Sequence, residues 1–372
     1  MESGLLELAT PGVQGLQPYA PGKPLSELER EYGIRNAVKL ASNENPLGPS
    51  PAVLEALRAE FDNLARYPDG NGFALKAALS GKLGMDPGCI TLGNGSNDVL
   101  ELVARAFLTP QSSAVFSAHA FAVYPIVTQA IGAHGRVVPA HDGSRGPRFG
   151  HDLEAMLKAI SHDTRVVFVA NPNNPTGTWA DRSSLRHFVE RVPESVIVVI
   201  DEAYFEYVED ADYPNAVHWV REFPNLLVTR TFSKAYGLAA LRVGYGISQS
   251  AVADILNRVR QPFNVNSFSQ AAAVAALQDI THLAESVRIN RDGMRQLEQG
   301  LDALKLEYIP SVGNFISVAV GRDPDRVYEA LLREGVIVRP VDNYGMPGYL
   351  RVSIGLPEEN QRFLEALKQV LS

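Results

Sequence analysis

The chain has 372 residues, a length that suggests one large domain and a smaller one rather than a single core. The single cysteine, Cys89, excludes an internal disulfide, and the net charge of −8 argues against nucleic acid as the main partner. No apolar run reaches the roughly 18 residues of a membrane helix, and the first residues lack the pattern of a secretory signal. We therefore expect a cytoplasmic globular protein that does not contact membranes.

Short runs rich in β-branched residues alternate with helical patterns along the middle of the chain. Amphipathic stretches at 181–192 and 251–259 lie among apolar runs that are typical of buried strands. The predicted strands are 90–92, 114–116, 165–170, 196–200, 226–228 and 243–247. Buried strands separated by helices predict an α/β fold with a mainly parallel sheet.

The C-terminal part of the chain has a different pattern. A long helical segment over 267–304 precedes several short strands, and a final helix covers 358–370. The predicted strands here are 315–320, 336–338 and 349–353. This order of elements predicts a smaller α+β domain. We therefore expect a large domain over 46–267, with an N-terminal arm and the small domain over 1–45 and 268–372.

Polar residues follow three of the predicted strands. Asn174 lies in the segment Asn-Pro-Asn-Asn-Pro-Thr-Gly, Asp201 ends the next strand, and Lys234 follows the strand after that. Ligands of parallel sheets bind outside the carboxyl ends of the strands, so we expect these three side chains in one crevice. A lysine for covalent attachment and an acid beside the pyridine nitrogen are what pyridoxal phosphate requires.

Each of these residues has a predicted role in such a site. Lys234 binds the cofactor covalently and then carries a proton to and from the substrate Cα. Asp201 pairs with the pyridine nitrogen, while Tyr204 and Asn174 reach the ring oxygen. Asp201, read alone, is also compatible with a cap on the turn that follows its strand.

A glycine turn that runs into an amphipathic helix, over 93–102, offers an anchor for the phosphate. The backbone N–H groups of Ser96 and Asn97 stand at the helix N-terminus, where an anion is favoured, although a simple helix cap explains the same pattern. Phe121 offers a face for the cofactor ring or a member of the core. The eight histidines lack metal-ligand spacing, so no metal site is predicted. Further contacts to the phosphate are expected from Thr231, Ser233 and Arg242.

Several segments carry a resemblance to one known group of enzymes. The Asn-Pro-Thr-Gly, Asp-Glu-Ala-Tyr and Ser-Lys motifs are typical of the fold-type I aminotransferases, which the chain resembles over nearly its whole length. Segments near both ends narrow the resemblance to the histidinol-phosphate aminotransferase family; they are 18–24, 42–48, 66–69, 338–345 and 349–355. The resemblance implies an aspartate-aminotransferase-like fold, with a seven-stranded sheet flanked by helices, and pyridoxal 5'-phosphate as the cofactor.

The resemblance also implies roles for residues outside the strand ends. Tyr67 crosses a dimer interface to the cofactor phosphate of the other subunit, so the functional unit is a homodimer with shared active sites. Arg351 and Arg339 bind the anionic groups of the substrates, and Tyr19 lines the pocket. Guanidinium groups suit both carboxylates and phosphate esters. Phe121 departs from the tyrosine that many members carry, which preserves stacking and removes a hydroxyl.

The reaction implied by the resemblance is amino transfer between glutamate and imidazole-acetol phosphate. Its products are L-histidinol phosphate and 2-oxoglutarate, in histidine biosynthesis. A broad aromatic amino-acid aminotransferase and a phosphothreonine-type decarboxylase would keep the same cofactor residues and stay open as alternatives. A non-catalytic cofactor-binding regulator would need an effector domain, and the elements predicted above already account for the chain.

Overall fold

The computed structural model describes residues 3–19, 21–321 and 323–372. The strands are β1 (Val38–Lys39), β2 (Ile90–Gly93), β3 (Ser113–Ser117), β4 (His134–Val138), β5 (Thr164–Ala170), β6 (Ile197–Asp201), β7 (Leu226–Thr231), β8 (Gly244–Ser248), β9 (Tyr308–Ile309), β10 (Phe315–Ala319), β11 (Val336–Ile337), β12 (Arg339–Pro340) and β13 (Tyr349–Ser353).

The chain has fourteen α-helices over the described residues. They are α1 (Ser3–Leu6), α2 (Pro11–Gln14), α3 (Leu25–Tyr32), α4 (Pro51–Ala59), α5 (Phe73–Leu83), α6 (Ser96–Phe107), α7 (Val123–Ile131), α8 (Leu153–Ala159), α9 (Arg182–Arg191), α10 (Ser250–Val259), α11 (Ser267–Gln278), α12 (Ile280–Ala303), α13 (Pro324–Arg333) and α14 (Pro357–Leu371). None of those helices, over the residues described, has the length and apolar content to cross a membrane. Helices α4 to α11 cover both faces of the largest sheet.

The central sheet has seven strands in the order β2-β8-β7-β6-β5-β3-β4. Strands β3 to β7 run parallel, and β8 runs antiparallel to both of its neighbours, β2 and β7. The predicted mainly parallel, seven-stranded sheet is confirmed.

Side chains alternate between two apolar layers because successive residues of a strand point to opposite faces. In β5, Val167 and Val169 belong to the core under α4, α5, α8, α9 and α11, whereas Val166 and Phe168 belong to the core under α6, α7 and α10. Burial on both faces explains why the central strands read as continuous apolar runs in the sequence.

The remaining strands form two smaller sheets. Strands β12-β13-β10-β9 form an antiparallel sheet, and β1 pairs with β11 in a separate parallel ribbon. Leu297 of α12, Leu331 of α13 and Phe363 of α14 pack with this sheet in one fully buried cluster. The segment before α4 connects the two parts, since Asn43 hydrogen-bonds to Ser353 of β13 and to Tyr204 beside the large sheet.

One prediction about the elements was wrong, and one strand of the large sheet was missed. The single helix expected over 267–304 is two helices, because Asp279 leaves helical geometry (φ −88°, ψ 73°) and its carboxylate caps α12 by accepting from the His282 N–H. Strand β4 was not predicted at all. It is one of the two edge strands, and its first four residues are exposed, so it carries no apolar run.

The sheet brings the ends of several strands to one edge. Asp201 closes β6 beside Ala170 of β5, and Thr231 closes β7 opposite Gly244 of β8. Gly244 in turn pairs with Gly93, the last residue of β2, which leads into α6. The loops that leave these ends therefore share one crevice.

Candidate active site

A cavity of about 430 Å³ occupies that crevice. Its wall comes from both sheets and from the N-terminal segment. All of the predicted site residues except one line it: Tyr19, Ser96, Asn97, Phe121, Asn174, Asp201, Tyr204, Thr231, Ser233, Lys234, Arg242, Arg339 and Arg351. The exception is Tyr67, which is 83% exposed and stacks on Phe263 with 4.7 Å between ring centroids.

Lys234 lies just beyond β7, with its amine inside the cavity. Its Nζ donates to the backbone oxygen of Ser42 at 3.2 Å and stands 5.7 Å from the centre of the Tyr204 ring. Burial, and then the positive charge of Arg351, lower the pKa of Lys234 to about 7. The amine is therefore available in its neutral, nucleophilic form near neutral pH.

Asp201 is held from both sides by hydroxyl groups that the sequence did not reveal. The Tyr124 hydroxyl donates to Oδ2 at 2.8 Å, and the Thr229 hydroxyl donates to Oδ1 at 2.9 Å. Burial raises the pKa of Asp201, while these two hydrogen bonds act in the opposite direction. The carboxylate is fixed in rotation and keeps unused lone pairs for a donor inside the cavity.

A close-packed turn forms the end of the cavity at the start of α6. Gly95 has φ +81°, and a Cβ placed there would lie 2.3 Å from Nη2 of Arg242. A Cβ on Gly244 would lie 2.4 Å from the Ser96 backbone nitrogen. Arg242 also donates to the Ser233 hydroxyl at 3.1 Å. Free N–H groups of a long helix and a guanidinium thus converge at a point where a phosphate fits.

Arg351 and Arg339 lie at the opposite side of the cavity, directly across from each other on β13 and β12. Arg351 donates from Nη1 to Asn174 at 2.6 Å and from Nη2 to the Ala41 backbone oxygen at 2.7 Å. Its Nε is buried and has no hydrogen-bond partner among the described residues. The Arg339 guanidinium stands 5.8 Å from the centre of the Tyr19 ring. Two buried cations side by side favour an anionic ligand.

Tyr204 and Phe121 complete the walls. The Tyr204 hydroxyl accepts from Asn43 Nδ2 at 2.9 Å, and burial raises its pKa, so its own hydrogen stays available to an acceptor. The Phe121 ring is half-buried and meets the Tyr124 ring edge-on at 5.9 Å. Tyr124 and Thr229 hold Asp201 in place, and Asn43 holds Tyr204. None of these three residues was assigned a role from the sequence. The one available signal was that Thr229 directly follows the predicted strand 226–228; in the structure it lies within β7 and pairs with Asp201 of β6.

The residues of this cavity fit pyridoxal phosphate. A lysine amine of lowered pKa and an aspartate with free lone pairs face the same space, and the turn at Gly95 leaves room for a phosphate where a side chain would not fit. Ser96, Asn97, Thr231, Ser233 and Arg242 stand around that turn. The chemistry of this donor set matches each polar group of the cofactor.

The chain is similar to known proteins over nearly its whole length. The family described as aminotransferase class I and II matches residues 35–367. Histidinol-phosphate aminotransferase 2 from Pseudomonas fluorescens is 63% identical over 374 residues, covering 100% of both chains. The crystal structure of histidinol-phosphate aminotransferase from Sinorhizobium meliloti in complex with pyridoxal-5'-phosphate has a TM-score of 0.87 at 29% identity, and each chain is covered to 97%.

A more distant structure shows how widely the fold is shared. A mutant aspartate aminotransferase from Thermus thermophilus is 23% identical and has a TM-score of 0.83, with 97% of this chain and 99% of that chain covered. The predicted aspartate-aminotransferase-like fold is thereby confirmed. On the family match and the relative at 63% identity, the chain belongs to the class I and II aminotransferases and, within them, to the histidinol-phosphate aminotransferase family.

Proposed function

We propose that the protein transfers an amino group between glutamate and imidazole-acetol phosphate, giving L-histidinol phosphate and 2-oxoglutarate. The observation that carries this proposal is a single cavity in which the Lys234 amine lies between two anion sites. One anion site is the turn at Gly95, and the other is the pair Arg339 and Arg351. The relative at 63% identity, named histidinol-phosphate aminotransferase 2, supports the choice of substrates.

Pyridoxal phosphate, when bound, supplies an electron sink for the bonds at the substrate Cα. Lys234 would hold the cofactor covalently and, once the substrate amine has displaced it, its free amine would take the proton from the substrate Cα as a base and give it back as an acid. Its pKa of about 7 suits an amine that must act both as base and as acid near neutral pH. Asp201 would accept the hydrogen of the pyridine nitrogen, and its two hydroxyl partners fix the orientation of its carboxylate.

The remaining cavity residues bind and orient. These residues all line the cavity. The cofactor phosphate would be held by Ser96, Asn97, Thr231, Ser233 and Arg242, while Tyr204 and Asn174 would donate to the ring oxygen and Phe121 would cover one ring face. Arg351 binds the α-carboxylate of glutamate or the phosphate ester of the amino alcohol, because a guanidinium can donate paired hydrogen bonds to either anion. Arg339 binds the second anionic group, and Tyr19 closes the pocket beside it.

We further propose that the functional unit is a homodimer in which Tyr67 reaches the cofactor phosphate of the partner. Tyr67 stands outside its own cavity and stacks on Phe263, and both rings are exposed. Exposed apolar groups gathered in one region mark an interaction surface.

The large cofactor-binding domain would comprise 46–267, and the arm and small domain would comprise 1–45 and 268–372. Phosphorylated substrates are charged and do not cross membranes unaided. We therefore place the enzyme in the cytoplasm.

Steady-state kinetics with three amino compounds test the reaction. Histidinol phosphate should give a much higher kcat/KM than phenylalanine, and threonine phosphate should release no carbon dioxide. Lys234→Ala is the control and should be inactive with all three. A kcat/KM for phenylalanine equal to that for histidinol phosphate would instead identify a broad aromatic aminotransferase, and carbon dioxide release would identify a decarboxylase.

A further inference from the structure

His119 lies outside the cavity and yet contacts two of the segments that carry its lining residues. It sits in the loop between β3 and α7, two residues before Phe121. Its ring Nδ1 is 2.7 Å from the backbone oxygen of Tyr344, and since a carbonyl only accepts, Nδ1 carries the hydrogen. Its own backbone oxygen accepts from the Asn173 side chain at 2.9 Å.

Each of these contacts leads directly to a residue of the cavity. Asn173 precedes Asn174, which binds Arg351. Tyr344 follows β12, which carries Arg339, and the charges of Arg351 and Arg339 both act on the Tyr344 hydroxyl. The loop of His119 therefore joins the ring-stacking side of the cavity to the anion site on the small sheet.

The backbone of His119 indicates that this contact is specific. His119 has φ +58°, in the left-handed region that side chains other than Asn, Asp and His rarely adopt. That conformation costs energy, and the surrounding contacts must stabilise it. The ring also meets Phe149 edge-on at 5.2 Å, and the Gly345 backbone lies beside it.

We propose that His119 is a positioning residue that sets the place of the Arg339 and Arg351 anion site relative to the Phe121 loop. It touches neither substrate nor cofactor and acts through Tyr344 and Asn173. The identity of the substrate in this inference rests on the proposed function. The position of the anion site does not depend on the proposed function, because the binding of a simple anion reports on that site directly.

Three substitutions separate the hydrogen bond from the backbone conformation. His119→Asn keeps both, because the amide nitrogen of asparagine is as many bonds from Cα as Nδ1 and asparagine tolerates positive φ. His119→Gly keeps the backbone conformation and removes the donor. His119→Leu removes the donor and strains the backbone. Each variant is loaded with cofactor, so that the turn at Gly95 is filled, and its affinity for inorganic phosphate is measured by calorimetry alongside KM and kcat.

His119→Gly and His119→Leu should raise KM for histidinol phosphate and weaken phosphate binding roughly three- to tenfold, the effect of one lost hydrogen bond. The kcat should change less, and His119→Asn should behave like the wild type. Wild-type KM and phosphate affinity in all variants, even with a lowered melting temperature, would overturn the inference and leave only a structural contact. An effect of His119→Asn as large as that of His119→Gly would also overturn it. If no variant or wild type turns over substrate, the proposed function fails, while phosphate affinity still decides the role of His119.

Discussion

The Tyr124 hydroxyl donates to Oδ2 of Asp201 at 2.8 Å, although the two residues are 77 positions apart. Tyr124 is fully buried, and its ring stacks on Phe168 with 4.8 Å between centroids. Burial and the Asp201 charge raise the pKa of Tyr124 well above its usual value, so the hydroxyl stays a donor throughout the physiological pH range. Asp201, the residue proposed to pair with the cofactor nitrogen, is thus oriented by a rigid neighbour as well as by its own strand.

Tyr124→Phe should lower kcat about ten- to hundredfold, as expected for a hydrogen bond to a charged group. Loss of the bond also raises the pKa of Asp201, so the acid limb of the pH profile should move to higher pH. The matched control is Tyr236→Phe, because the Tyr236 hydroxyl is buried without a hydrogen-bond partner among the described residues. Equal kinetics in the two variants would remove Tyr124 from the mechanism.

The Lys234 amine should titrate near pH 7 in the cofactor-free protein. Competitive acetylation, read by mass spectrometry of the peptide that contains Lys234, measures the fraction of neutral amine at each pH. In Arg351→Met the midpoint should rise, because a nearby positive charge is gone, but should stay below 10.5 because burial is the larger cause. A wild-type midpoint near 10.5 would contradict the buried environment described here.

The buried ion pair between Arg230 and Glu202 should be costly to break. Their side chains are 4% and 0% exposed, with Nη2 and Oε2 2.6 Å apart. Glu202→Gln removes the carboxylate that hydrogen-bonds the buried guanidinium and should destabilise the protein by about 3–5 kcal/mol, measured by chemical unfolding, with the charge of Glu206 offsetting part of the loss. Asp254→Asn breaks the exposed pair with Arg258 and should cost only about 0–1 kcal/mol. Similar losses in both variants would show that burial does not govern the Arg230 pair.

Mixed dimers test whether Tyr67 serves the other subunit. Tyr67→Ala and Lys234→Ala homodimers should show weak and no activity respectively at limiting cofactor. A mixed dimer should recover one complete site, because Lys234 comes from one subunit and Tyr67 from the other. Tyr67→Phe keeps the ring that stacks on Phe263 and removes only the hydroxyl, so it separates phosphate binding from packing. Mixed dimers no more active than the two parents would show that each site is built from one chain.

The sequence predicted the parts of the site that follow strands. Lys234, Asp201 and Asn174 were identifiable because the carboxyl ends of parallel strands meet at one edge, and the structure brings all three to one cavity. Tyr124, Thr229 and Asn43 were not, because their partners lie far away in sequence and no local pattern records such a pairing. The edge strand β4 and the break at Asp279 were missed for local reasons, since an exposed strand lacks an apolar run and a single cap interrupts an otherwise continuous helical pattern.

The most direct test of the central claim is a single-turnover absorbance measurement on the cofactor-loaded protein. The visible absorbance of the lysine-bound cofactor is followed after histidinol phosphate is added and, separately, after phenylalanine is added. Rapid loss of absorbance with histidinol phosphate, a much slower loss with phenylalanine, and no lysine-bound absorbance in Lys234→Ala are the predicted results. Equal rates with both compounds, or a visible band that survives in Lys234→Ala, would contradict the account.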